Sequence, residues 1–88
     1  MKINDGFMLR NVAGKNIVVA VGEASMDFDG LISLNETGAF LWKILEDGAD
    51  YDTLLSKFLD EYDIDEETAK RDLDAFIKRA LDEGFLSE

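Results

Sequence analysis

The sequence predicts an α+β fold: a three-stranded antiparallel sheet followed by a three-helix bundle, on one domain spanning residues 1–88. Three observations carry this. The first third alternates with a period of two and is rich in β-branched residues. From Asn35 onward the apolar residues recur with the helical period. Asn35, Asp50 and Asp65 each precede an apolar stripe and are residue types that cap orphan amides at helix starts.

The elements follow in order. Strands are expected at about 6–13, 16–21 and 30–34, and helices at about 36–47, 51–61 and 66–83. In the first strand Phe7, Leu9 and Asn11 face one way and Met8, Arg10 and Val12 the other. Gly14-Lys15 is read as a turn into a second strand, Ile17 to Val21, giving a hairpin. Gly22 to Asp29 is a loop, with room for one helical turn. Leu31-Ile32-Ser33-Leu34 is a third strand, too short to stand alone, so it should join the hairpin.

Phe40, Leu41, Ile44 and Leu45 stripe the first helix, which Gly48 closes. Trp42 lies near the rim of that stripe and is expected to pack there or in the core. Leu54, Leu55, Phe58, Leu59 and Tyr62 face inward from the second helix. The third has Glu66 and Glu67 in its first turn, where the helix dipole favours anions. Ala69, Leu73, Phe76, Ile77, Ala80, Leu81 and Gly84 trace its expected inner face, with Phe85-Leu86 folding back onto the core. The short connection around Asp63-Ile64 makes the last two helices a helix-turn-helix, and a sheet beside it makes the whole winged-helix-like.

Composition narrows the function. Nine Lys and Arg against 20 Asp and Glu give a net charge of −11, which repels nucleic acid and anionic membrane alike. The chain has no His and no Cys, so the commonest general base, the thiol nucleophile and the usual zinc ligands are missing. No catalytic, metal-binding or cofactor-binding residue is expected. No apolar run approaches a transmembrane span. The first residues lack the basic and apolar regions of a secretory signal, so the expected location is cytoplasmic.

Several motifs fail on spacing. Asp27-Phe28-Asp29-Gly30 and Asp63-Ile64-Asp65-Glu66-Glu67 resemble calcium loops, but the sixth positions are Ile32 and Thr68 where a glycine is required. A carrier protein needs Asp directly before its modified serine. None of Ser25, Ser33, Ser56 and Ser87 has one. A DNA-reading third helix would carry seven acids and four bases between Asp65 and Glu83, which penalises close approach to phosphates. A winged-helix regulator and, behind it, an acidic carrier protein stand as the alternative readings.

The third strand carries the sharper signal. It has no Lys, Pro or inward charge of the kind that normally guards a sheet edge. Either its own loop covers it, or the edge accepts a foreign peptide by strand addition.

Gly30-Leu31-Ile32-Ser33-Leu34-Asn35-Glu36-Thr37-Gly38-Ala39, then Leu41-Trp42 and Leu45, strongly resembles the PqqD family. The tail agrees: Glu61-Tyr62-Asp63-Ile64-Asp65, Ala69, Asp72-Leu73, Phe76 and Gly84-Phe85-Leu86. The resemblance covers the chain from about Gly6 onward and is to the broad family. It implies a RiPP recognition element, a non-enzymatic peptide chaperone of winged-helix-like fold. Such a domain binds the leader segment of a ribosomally made precursor peptide and presents it to a modifying enzyme, often a radical S-adenosylmethionine protein. It implies no cofactor on this chain, since the clusters belong to that enzyme. Carried over, Leu31, Ile32, Ser33 and Leu34 would supply the pairing backbone. One flank of the third helix (Asp72, Ala75, Phe76 and Arg79) would form the facing wall. On the other flank Ile77 and Leu81 look suited to packing against the helices. Arg79 would meet a leader acid, Asp72 a base or an amide, and Phe76 would floor a pocket or simply belong to the core.

Overall fold

The computed structural model describes residues 1–22 and 32–88. In chain order the elements are β1 (Lys2–Ile3), β2 (Phe7–Val12), β3 (Lys15–Ala20), β4 (Ile32–Leu34), α1 (Glu36–Asp47), α2 (Tyr51–Glu61), α3 (Glu66–Glu83) and β5 (Leu86–Ser87). The main sheet is antiparallel with order β2-β3-β4. Three helices follow it, as the change of period at Asn35 predicts. The expected loop from Gly22 to Asp29, the Asp27–Gly30 motif and Leu31 lie outside the described residues, apart from Gly22 itself.

The hairpin turn differs from expectation by one residue. Val12 pairs with Lys15, so the turn is Ala13-Gly14 rather than Gly14-Lys15. Both turn residues have positive φ, 53° at Ala13 and 81° at Gly14, as a two-residue type I′ connection requires. Glycine adopts this conformation freely; alanine pays a steric penalty of roughly 1–2 kcal/mol. The twist match to the flanking strands outweighs it here.

That turn sets the direction of every backbone group in the sheet. In a two-residue hairpin the residues flanking the turn exchange hydrogen bonds, and the bonded pairs then alternate. Lys15, Ile17 and Val19 therefore bond to β2, which turns Asn16 and Val18 toward β4. The register Asn16↔Leu34, Ile17↔Ser33, Val18↔Ile32 makes Leu34 and Ile32 the bonded partners on β4. The amide and carbonyl of Ser33 point away from β3.

The helices are capped as their sequences dictate. Asn35 Oδ1 accepts the Gly38 amide at 2.8 Å, and Asp50 Oδ1 accepts the Thr53 amide at 2.8 Å. Asp65 occupies the third cap position without closing such a bond. At the other end of α3, Gly84 is left-handed (φ 85°). The Phe85 amide bonds the Ala80 carbonyl at 3.1 Å and the Gly84 amide the Leu81 carbonyl at 3.2 Å. This Schellman closure turns the chain sharply and drives Phe85 into the interior.

Phe85 is fully buried, its ring centroid 5.0 Å from that of Trp42, itself fully buried on α1. Trp42 is thus core rather than rim, and its indole N–H has no acceptor among the described residues. Phe58 and Leu73 complete this centre from α2 and α3. Each such aromatic or leucine contributes about 1.5–3 kcal/mol by leaving water.

Phe85 and Leu86 fold back onto the core as expected, and beyond that Leu86–Ser87 pairs antiparallel with Lys2–Ile3 as a second, two-stranded sheet that the sequence pattern does not predict. The Asn4 amide bonds the Phe85 carbonyl at 2.9 Å, and its side chain bonds the Gly84 carbonyl at 2.8 Å. Leu81, expected on the inner face of α3, is 37% exposed. The buried line of α3 is narrower, Ala69, Leu73 and Ala80, because neighbouring elements cover only one side of it.

Candidate functional site

Between the edge of β4 turned away from β3 and one flank of α3 lies a groove of about 450 Å³. Its first wall is Ser33, Leu34 and Asn35 at the end of β4, continued by Thr37 and Gly38 in the first turn of α1. Asp72, Ala75, Phe76 and Arg79 of α3 form the second wall, over a floor of Leu41 and Phe58.

Local sequence explains both walls. The Asn35 side-chain oxygen accepts the Gly38 amide at 2.8 Å and the Thr37 hydroxyl at 3.0 Å, locking the bend from strand to helix. A Cβ at Gly38 would lie 3.1 Å from that oxygen and 3.4 Å from Leu34 Cβ, so a glycine lets β4 and α1 meet this closely. On α3, the spacing 72, 75, 76, 79 puts all four residues on one side of the buried Ala69–Leu73–Ala80 line.

Among the described residues the backbone of Ser33 has no strand partner on this side. Its carbonyl is approached by Arg79 Nη1 at 3.5 Å, a long contact that agrees with the outward direction derived from the turn. Arg79 has no carboxylate partner among the described residues, and Asp72 no cation. Two helical turns, about 10 Å, separate them along the wall. The groove therefore offers one donor and one acceptor of backbone, an apolar floor, and one charge of each sign toward its ends.

The sequence-predicted residues distribute as follows. Ser33, Leu34, Asp72, Ala75, Phe76 and Arg79 line the groove. Ile32 does not: its side chain is buried in the core, and its amide faces β3. Phe76 is half-buried, packing against the core with its ring 6.5 Å from Phe85 while still reaching the groove. Sequence reasoning missed Asn35, Thr37, Gly38, Leu41 and Phe58 as lining residues. A glycine three positions after a capping asparagine was the available signal for the bend; the floor residues read only as helix core. No cluster of three or more acids among the described residues could hold a metal ion. Asp65, Glu66 and Glu67 of the second calcium-like motif sit at the cap and first turn of α3.

Comparison with known proteins gives the following. Residues 23–86 match the family described as Coenzyme PQQ synthesis protein D (PqqD), a span holding both walls of the groove. Two solved structures share the fold. One is TbiB1, solved in complex with the TbiA(beta) leader peptide, with a TM-score of 0.73 and 22% identity over 99% of this chain and 100% of that one. The other is a lasso peptide synthetase B1 complexed with the leader peptide, with a TM-score of 0.75 and 16% identity over 99% of this chain and 96% of that one. No curated protein matches. With a family match over most of its length and this strand-then-helix fold around the groove, the chain belongs to the PqqD family.

Proposed function

We propose that this chain binds the leader segment of a ribosomally synthesised precursor peptide by strand addition to β4. It then presents that peptide to a modifying enzyme, such as a radical S-adenosylmethionine protein. PqqD domains are peptide-binding and non-catalytic. The observation that carries the reading is the backbone of Ser33, which has no strand partner among the described residues on its outer side and is aimed into an apolar-floored groove. A strand edge walled by a helix fits an extended peptide, and fits little else.

Magnitudes divide the labour. The two backbone bonds to Ser33 contribute about 1–3 kcal/mol together. One large apolar leader side chain, seated on Leu41, Phe58 and Phe76, contributes about 1.5–3 kcal/mol. Strand addition then sets the register and the pocket supplies discrimination. Arg79 and Asp72, with opposite charges at either end, fix the direction in which the leader lies. Tethering the peptide to its enzyme in this way raises its local concentration there.

The test is a titration of the isotopically labelled protein with the leader segment of the precursor peptide encoded beside it, followed by amide chemical shifts. Saturable shifts at Ser33, Asn35, Ala75 and Arg79 are expected. Shifts confined to other surfaces would refute the reading. Binding of duplex DNA that collapses steeply with added salt would favour a regulator instead.

A further inference from the structure

The opposite flank of α3 carries a second groove of about 540 Å³, between α3 and the start of α2. Tyr51, Ile77 and Leu81 give it apolar walls, and Asp50, Asp74 and Asp82 lie around them. We propose that this groove is a docking surface for a cationic amphipathic segment of a partner protein: one presenting aliphatic or aromatic side chains flanked by lysine or arginine.

The apolar part defines the contact. Leu81 is 37% exposed, one of the few large apolar side chains so open among the described residues, and Ile77 and Tyr51 are only partly buried beside it. The charges select the occupant. Lys78, the one basic side chain in the lining, is already bonded to Asp82 at 2.8 Å. Asp74 accepts a hydrogen bond from the Tyr51 hydroxyl at 2.7 Å, which holds both side chains in place at the rim. Asp50 is fixed by its bond to the Thr53 amide. Asp74 thus faces the groove with no ion-pair partner among the described residues, and Asp50 lies in the field of the Met1 ammonium, which is itself bonded to the Ala49 carbonyl at 2.9 Å, on a chain of net charge −11. An acidic or purely apolar segment would meet repulsion or leave the Asp74 carboxylate without an ion pair; a basic one pairs it as its apolar residues enter.

No strand edge is involved, so the occupant is recognised by side chains and not by backbone. Nor does the surface overlap the β4 groove, since the line Ala69–Leu73–Ala80 lies between the two flanks. The inference stands independently of leader binding; if that reading holds, the modifying enzyme is the natural carrier of the segment.

The experiment uses the full chain, isotopically labelled, and a short acetylated and amidated probe peptide built of Leu-Lys-Lys-Leu repeats. Two control peptides replace every Lys with Glu or every Leu with Ser. The Leu-Lys probe should move the Tyr51, Asp74, Ile77 and Leu81 amides saturably, and the controls should not. Leu81→Ser and Asp74→Asn should each weaken the probe about fivefold, with the spectrum of the folded protein retained. Saturating leader peptide should leave the probe's affinity unchanged. Four results would overturn the proposal: no saturable binding, shifts spread over all acidic surfaces, equal binding of the Ser-substituted control, or shifts centred on Ser33 and Arg79. Self-association that grows with concentration and maps to Leu81 would assign the groove to a second copy of this chain and overturn it as well. Failure of leader binding alone appears separately, at Ser33 and Asn35.

Discussion

Each flank of α3 opens into a groove, and the two grooves face different neighbours. Phe76 and Arg79 face the edge of β4, where the backbone of Ser33 has no strand partner among the described residues and its carbonyl meets only the long Arg79 contact. Ile77 and Leu81 face the first turn of α2, where the Asp50 cap takes the Thr53 amide and no strand edge lines the groove. The first groove can be completed by the backbone of an extended segment, largely irrespective of its sequence. Only side chains can complete the second. On the readings proposed above, one helix separates a surface that uses backbone pairing in addition to side chains from one that uses side chains alone.

Proline substitution on β4 breaks this comparison most severely, because adjacent amides point in opposite directions. Ile32→Pro removes a donor paired to buried Val18 and should cost about 3 kcal/mol of stability in urea unfolding. Ser33→Pro removes a donor that faces the groove. Proline is tolerated at such an edge, so stability should change by less than about 1 kcal/mol while leader affinity, measured by calorimetry, falls about tenfold. The reverse pattern would mean that the sheet's hydrogen-bond alternation is inverted.

Charge reversal comes next. Arg79→Glu should weaken the leader about fivefold, in line with an exposed pair worth up to about 1 kcal/mol. Leu81→Ser, on the other flank, should leave leader affinity unchanged. An unaltered affinity in Arg79→Glu would move the leader's charged contact elsewhere.

A smaller effect touches neither flank. Ala13→Asn places Asn-Gly, the preferred type I′ pair, where alanine now holds φ 53°. Thermal unfolding should report a gain of about 0.5–1 kcal/mol with leader affinity unchanged.

The smallest effect is with pH. The Thr53 side chain, and then its backbone N–H, hold the Asp50 carboxyl below its ordinary value of 3.8. A carboxyl depressed by folding contributes stability above its unfolded value, and that contribution disappears as pH falls through the folded one. Wild type and Asp50→Asn should therefore differ most above pH 3.8 and converge in more acidic solution, by the same unfolding assay.

How far the sequence was legible follows from where each signal resides. Helix starts at Asn35, Asp50 and Asp65 are local, written in a cap and a stripe, and could be read directly. The pairing of Lys2–Ile3 with Leu86–Ser87 could not, since two residues have no periodicity and their meeting depends on the Gly84 closure at the far end of the chain. The groove's helix wall was legible because a flank is a matter of spacing. The strand wall was only half so: all of Leu31 to Leu34 reads as pairing backbone, yet alternation allows only every second residue to face outward. Which residues those are depends on the position of the hairpin turn. A turn at Gly14-Lys15 would have directed Asn16 and Val18 to β2 and turned Ser33 inward. The tolerance of Ala13 for positive φ, which no propensity suggests, decides it.

Amide hydrogen exchange at Ser33 tests the central claim most directly, measured with and without saturating leader peptide. The Ile32 and Leu34 amides should be protected in both states; that of Ser33 should exchange readily in the free protein and slow at least tenfold in the complex. A Ser33 amide already protected in the free protein, or one that leader leaves unchanged, would contradict strand addition at β4.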